Sequence, residues 1–238
     1  RFYRSDIQSI EMDRDDPEAS LAPIEAQIRA RADAIARQVE QYCRLPMPLE
    51  MLGWAFSVGG LEAADMVRKQ GRHIAVAGAN AYPVSQAHRL LSRPPSGCVL
   101  DMMSYWVAWS QGTLELIEQL CGPIHLPRAV FDQLQGRLEY LDAQPPGDQL
   151  HLEWTATSER LVGVTTEEDQ LAAQRSALEG AIAWANEHAV LAPQEMSDAV
   201  PAGLRQLALE MPLPVFDSMV LAINQGLLLV SDDARARD

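Results

Sequence analysis

The chain is poor in the residues from which compact metal and disulfide scaffolds are built. Its three cysteines, Cys43, Cys98 and Cys121, stand far apart, and no C-x-x-C pair occurs. This argues against a disulfide framework or a zinc ribbon and fits a reducing, cytoplasmic setting. The five histidines show no H-x-x-x-H spacing, so a histidine-based metal centre is not expected. No stretch approaches the roughly 18 to 20 apolar residues of a membrane span. The opening RFYRSD has neither a Met nor an apolar signal segment, which suits an excised or processed piece of a soluble protein. The segments SVGG and AGANAY lack the spacing of a dinucleotide or phosphate-binding loop, and no G-x-S-x-G elbow is present to support a serine hydrolase. Internal repeats and low-complexity tracts are also missing.

What is present is enough apolar residue for a real core. Hydrophobic residues make up 47% of 238 positions, sufficient for one large domain or two modest ones. Charge is unevenly spread. Residues 1–96 hold 12 acids and 12 bases, whereas residues 97–238 hold 21 acids against 7 arginines and so carry the whole net charge of −14. A polyanion is repelled by that second part unless local arginines or bound cations intervene. An acidic, solvated surface accounts for the same imbalance.

The polar leader, residues 1–20, gives way to a helical pattern over 21–92. Ile24, Ile28, Ile35, Val39 and Tyr42 mark an amphipathic helix to about Arg44, broken by Pro46 and Pro48. LEMLGWAFSVGG reads as a second helix closed by Gly59 and Gly60, LEAADMVRKQGRH as a third and SQAHRLLSR as a fourth. The punctuation SRPPSG marks a boundary, and a second domain is expected over 97–238. There, short apolar strands alternate with helices. The strands are GCVLD, GPIHLP, VLAP and LLLVS; the helices are YWVAWSQGTLELIEQLC, RAVFDQLQGRLEYL, a long one after Thr165, a further short one and PVFDSMVLAINQG. Thr165 with Glu168 reads as a capping box. QLHLEWTA and RLVGV alternate as a β-hairpin with Leu150, Leu152 and Trp154 on one face. This order predicts an α/β fold with a mostly parallel sheet covered by helices.

Ligands of open α/β sheets bind beyond the carboxyl ends of the strands, where strand order reverses. Two strands here end in acid: CVL in Asp101, and LLLVS in Asp232 and Asp233. If they are neighbours, their carboxylates converge, and Asp217 in the first turn of the preceding helix can join them. Such an all-oxygen set suits Mg²⁺ or Mn²⁺, ions that activate water and neutralise phosphate charge in phosphodiester hydrolysis. Each acid also has a plain structural role open to it. Asp101 before MMSY is a helix N-cap, Ser231 with Asp232 and Asp233 looks like another, and Asp217 favours a helix dipole. Asp132 and Glu139 fit a solvated helix face, and Tyr105, Trp106, Trp109 and Trp184 fit a core.

The segments CVLD, GPIHLPRAVFDQL and PVFDSMVLAINQGLLLVSDDARARD together resemble the PIN domain, over residues 97–238. The inserted hairpin and long helix are similar to the larger bacterial type attached to tetratricopeptide and Gre-like regions. The resemblance implies a three-layer sandwich and a Mg²⁺ or Mn²⁺ site that cuts RNA, in a family with many members in toxin–antitoxin systems or RNA processing. By position it assigns metal-holding roles to Asp101, Asp217 and Asp232, with Asp233 or Asp132 as a further acid and Ser231 orienting water or phosphate. The family pattern P-x-x-V-x-x-E-L departs here: Pro127 and Val130 are followed by Gln133, not glutamate. Asp132 points about 100° away on the same helix and does not replace it without a local shift. A fifth strand and final helix usual in PIN domains are expected beyond Asp238.

Two functions follow. One is a metal-dependent ribonuclease acting on single-stranded RNA, held by Arg68, Lys69, Arg72, Arg128 and Arg235, with the N-terminal helices open to a protein partner and an oligomer possible. The other is a degenerate PIN-like module that binds a protein or nucleotide without chemistry, a reading favoured by Gln133 and by the acidity of residues 97–238.

Overall fold

The structure is a computed structural model that describes residues 17–45, 47–74, 95–155, 160–193 and 195–233, with Ser85, His88, Arg89 and Ser92 besides. Three helices come first: α1 Pro17–Arg44, α2 Leu49–Ala55 and α3 Gly60–Lys69. The i, i+3, i+4 rhythm of α1 buries Val39 and Tyr42 on one face. Gly59 and Gly60 do not close α2 as its sequence predicts; Gly59 is the N-cap of α3 and Gly60 its first residue. The fourth helix expected at SQAHRLLSR falls mostly outside the described residues.

The α/β part runs β1 Cys98–Leu100, α4 Met102–Ser110, α5 Leu114–Cys121, β2 Ile124–Pro127, α6 Arg128–Asp142, β3 Gln149–Thr155, β4 Arg160–Thr166, α7 Glu168–His188, β5 Val190–Ala192, α8 Ala202–Glu210, α9 Pro214–Gln225 and β6 Leu228–Val230. The helix expected over 105–121 is two helices. Gly112 sits between them at φ +64°, a left-handed turn that stops α4, and the Thr113 hydroxyl folds back onto the Ala108 carbonyl at 3.2 Å. The capping box at Thr165 is also corrected. Thr165 is held in the β4 ladder opposite Leu150, so the helix starts later, and Asp148 Oδ1 accepts the Glu168 N–H at 3.0 Å instead.

Four strands form the central sheet in the order β5-β2-β1-β6, every pairing parallel. Alternation along each short strand gives two covered faces. Cys98, Leu100, Ile124 and Leu126 pack on one side among α4, α6, α7 and the N-terminal helices, while Val99 packs on the other against Leu221 and Ala222 of α9. This is the three-layer α/β arrangement expected of a PIN-like fold. The hairpin β3–β4 is a separate antiparallel sheet, with Leu150 and Leu152 exposed and Trp154 under the Arg29 guanidinium.

Val39, Tyr42, Leu49, Leu52, Leu61 and Val67 share one apolar cluster with β1, β2, α4 and α6. The helical region and the α/β region are thus built on a common core. All three cysteines are free thiols, and burial pushes Cys98 up to about 12. Among the described residues, no helix is long and apolar enough to cross a membrane.

Candidate functional site

Strand order reverses at β1: the chain moves from β1 to β2 and β5 on one side, then returns to place β6 on the other. The crevice beyond β1 and β6 is therefore the place where an open α/β sheet binds ligands. Leu100 pairs with Val230, so the next residues, Asp101 and Ser231, leave the sheet side by side.

Asp101 is 2% exposed and meets two donors. Its Oδ1 accepts the Ser104 N–H at 2.8 Å, capping α4, and its Oδ2 accepts the Ser231 hydroxyl. The N-cap role read from the sequence and the site role are thus held by one side chain. Burial raises its pKa most; the Ser231 and Ser104 hydrogen bonds pull it down, and Asp233 raises it again. Ser104 also ties the other strand end, since its hydroxyl accepts the Asp232 N–H at 2.7 Å.

The two terminal aspartates take different places. Asp233 is buried, and its Oδ2 accepts the Leu49 N–H of α2 at 2.6 Å. Asp232, to which the sequence assigns the metal role, is half-buried beside it. Asp217 lies in the first turn of α9 and is 8% exposed, with Oδ1 buried and without a hydrogen-bond partner. Burial lifts this carboxyl to about 6.

One acid of the cluster was not singled out by sequence reasoning. Glu50, in the first turn of α2, is 5% exposed, and its Oε2 accepts the Val215 N–H at 2.7 Å. Burial drives it up to about 8, opposed by the Val215 hydrogen bond and reinforced by the like charges of Asp101, Asp233 and Asp217. The available signal was an acid set in the short apolar run Leu49, Met51, Leu52. Buried carboxylates that follow β1, open α9 and follow β6 thus all act on Glu50 of α2, and Asp233 acts on Asp101 as well.

Asp132 stands apart from this group in character: it is exposed and ion-paired with Arg128 at 2.8 Å on the surface of α6. Gln133 is half-buried against the α2–α3 corner. A Cβ built on Gly59 would lie 2.7 Å from its Nε2, so the amide packs directly against the glycine backbone, and its Oε1 is buried and unpartnered. The described cations expected to meet RNA are exposed and ion-paired. Arg68 meets Asp65 at 3.3 Å, Lys69 meets Glu153, and Arg72 meets Glu40 at 2.9 Å. Arg235 lies outside the described residues.

Among the described residues, no three His, Cys, Asp or Glu side chains form a ready-made metal-holding group. The donor chemistry nonetheless fits a hard cation: carboxylate oxygens alone, mutually repelling, with the orphaned Asp217 Oδ1 among them.

A search of curated proteins and one of solved structures each return no match for this chain. The family model for the PIN domain associated with the TPR-GreAB-C-PIN system matches residues 99–238, which hold all of the central sheet but Cys98 and three of the four buried acids. By that match, which covers more than half of its length, the chain belongs to the PIN-domain family.

Proposed function

We propose that this PIN-type module is a metal-dependent ribonuclease that hydrolyses RNA phosphodiester bonds at the crevice beyond β1 and β6. The observation that carries the reading is the burial of Asp101, Asp217 and Asp233 around one strand-order reversal, with Asp217 Oδ1 lacking any protein partner. Asp101, Asp217 and the Asp232–Asp233 pair are the residues to hold Mg²⁺ or Mn²⁺. When bound, such an ion supplies a more acidic water and neutralises charge on the phosphate. The protein's own part is positioning. Ser104 and Ser231 fix both oxygens of Asp101, and the Leu49 amide fixes one oxygen of Asp233. Ser231, whose hydroxyl donates to Asp101, would use its oxygen to orient a water. Arg68, Lys69, Arg72 and Arg128 would exchange their acidic partners for RNA phosphates, and the N-terminal helices offer a surface to a protein partner.

A second reading, a binding module without chemistry, draws on Gln133 and on the hydrogen bonds that already occupy oxygens of Asp101, Asp233 and Glu50. One assay separates the two. Single-stranded RNA is incubated with the protein and Mn²⁺, with and without chelator, beside Asp101→Asn. Asparagine can still cap α4, so this change removes the charge and spares the helix. Metal-dependent cleavage lost in the variant supports the nuclease. Absence of cleavage, or cleavage that survives both chelator and substitution, rules it out.

A further inference from the structure

We propose that Glu50, delivered by α2 from outside the matched family region, is the fourth acid of the cation site and takes the place left by Gln133. The inference rests on the metal-holding reading above and adds a residue to it. Three observations carry it.

The first is position. Leu49 and Glu50 enter the crevice together: the Leu49 amide binds Asp233 Oδ2, and the Glu50 carboxylate binds the Val215 amide, two residues before Asp217. The second is the company Glu50 keeps. It is 5% exposed, and the charges acting on it, Asp101, Asp233 and Asp217, all have its own sign. A cluster of buried like charges is costly unless a counter-charge enters, and the unpartnered Asp217 Oδ1, on a side chain more than nine-tenths buried, belongs to an acid that acts on Glu50. The third is the α2–α3 corner. A Cβ on Gly59 would meet Gln133 Nε2 at 2.7 Å and Oε2 of Glu62, a side chain already paired with Arg137, at 2.8 Å, and a Cβ on Gly60 would stand 3.0 Å from Glu50 Cγ. The amide from α6 and the acid from α2 thus each pack against one of two adjacent glycines. The charge missing at position 133 is restored there by a different element.

The plain alternative is that Glu50 is a protonated cap on α9. Glu50→Gln distinguishes them, because glutamine keeps the shape and an acceptor for the Val215 N–H but cannot neutralise a cation. Mn²⁺ alone is titrated into the full chain, and free Mn²⁺ is read by electron paramagnetic resonance; melting is followed separately in chelator. Wild type is expected to bind, and Glu50→Gln to bind about ten-fold more weakly or worse, with a melting temperature in chelator equal to or above wild type. Glu50→Asp withdraws the oxygens by one methylene and is expected to weaken Mn²⁺ several-fold; it decides the matter if the glutamine variant does not fold. Wild-type affinity in a folded Glu50 variant, with weakened binding in Asp217→Asn, overturns the role of Glu50 and leaves the metal reading standing. No Mn²⁺ binding by the wild-type chain overturns both.

Discussion

The crevice beyond β1 and β6 and the basic surface of α3 and α6 handle charge in opposite ways. Inside, Glu50, Asp101, Asp217 and Asp233 are buried among their own kind; amides and a hydroxyl hold Glu50, Asp101 and Asp233, while Asp217 Oδ1 has no partner. Outside, Arg68, Lys69, Arg72 and Arg128 are exposed, and each faces an acid. Surface pairs of this sort contribute about 0–1 kcal/mol and are made or broken with little consequence. Buried like charges oppose folding by far more. A fold that retains the second arrangement does so against its stability, which is the expected mark of a working site. The surface pairs carry no such mark.

The contrast can be tested at several depths. The largest effect is expected for Asp217→Asn. It should cut any Mn²⁺-dependent cleavage by more than the roughly 10- to 100-fold associated with loss of an outer-shell partner, while the protein melts in chelator at or above the wild-type temperature. A variant that keeps cleavage, or that loses activity only by unfolding, would remove the functional side of the comparison.

Next comes pH. Glu50 is raised from 4.5 to about 8 and Asp217 from 3.8 to about 6, so the folded state binds more protons than the unfolded chain between those limits. Stability from these groups is full below the unfolded values and falls as pH rises through the folded ones. The metal-free wild type should therefore lose melting temperature from pH 5.5 to 8.5 relative to Glu50→Gln. Parallel profiles would show that Glu50 does not titrate in this window.

A smaller loss is expected for Ser231→Ala, which takes a donor from buried Asp101 Oδ2. Chemical denaturation should show about 1–3 kcal/mol of destabilisation; a neutral result would mean that water replaces the hydroxyl. Least of all, Lys69→Ala should change stability by no more than about 0.5 kcal/mol. A larger loss would place its pair with Glu153 among the structural contacts and blur the comparison from the other side.

Much of the fold was legible because short apolar strands ending in acid leave few arrangements open. The meeting of Asp101 with the Ser231 end was legible only on the condition that β1 and β6 are neighbours, and the sheet supplies that parallel pairing. Asp233, not Asp232, became the more deeply buried of the final pair because a long-range contact with Leu49 decides it. Glu50 was illegible for the same reason. Seven residues of helix with one acid announce no partner 165 positions away. Local signals misled at Thr165, where strand pairing outweighed a capping motif, and at Gly59–Gly60, where the glycines serve tight packing and open a helix rather than end one.

The bond from the Leu49 amide to Asp233 closes a span of 184 residues, and that from Val215 to Glu50 a span of 165. Closing loops this long is slow and comes after local structure has formed. During synthesis, α2 waits for β6 before the crevice has all its walls. Whatever the acids do, they begin to do it only once the chain has been made through Asp233, so a growing polypeptide that stops short of β6 carries no complete site.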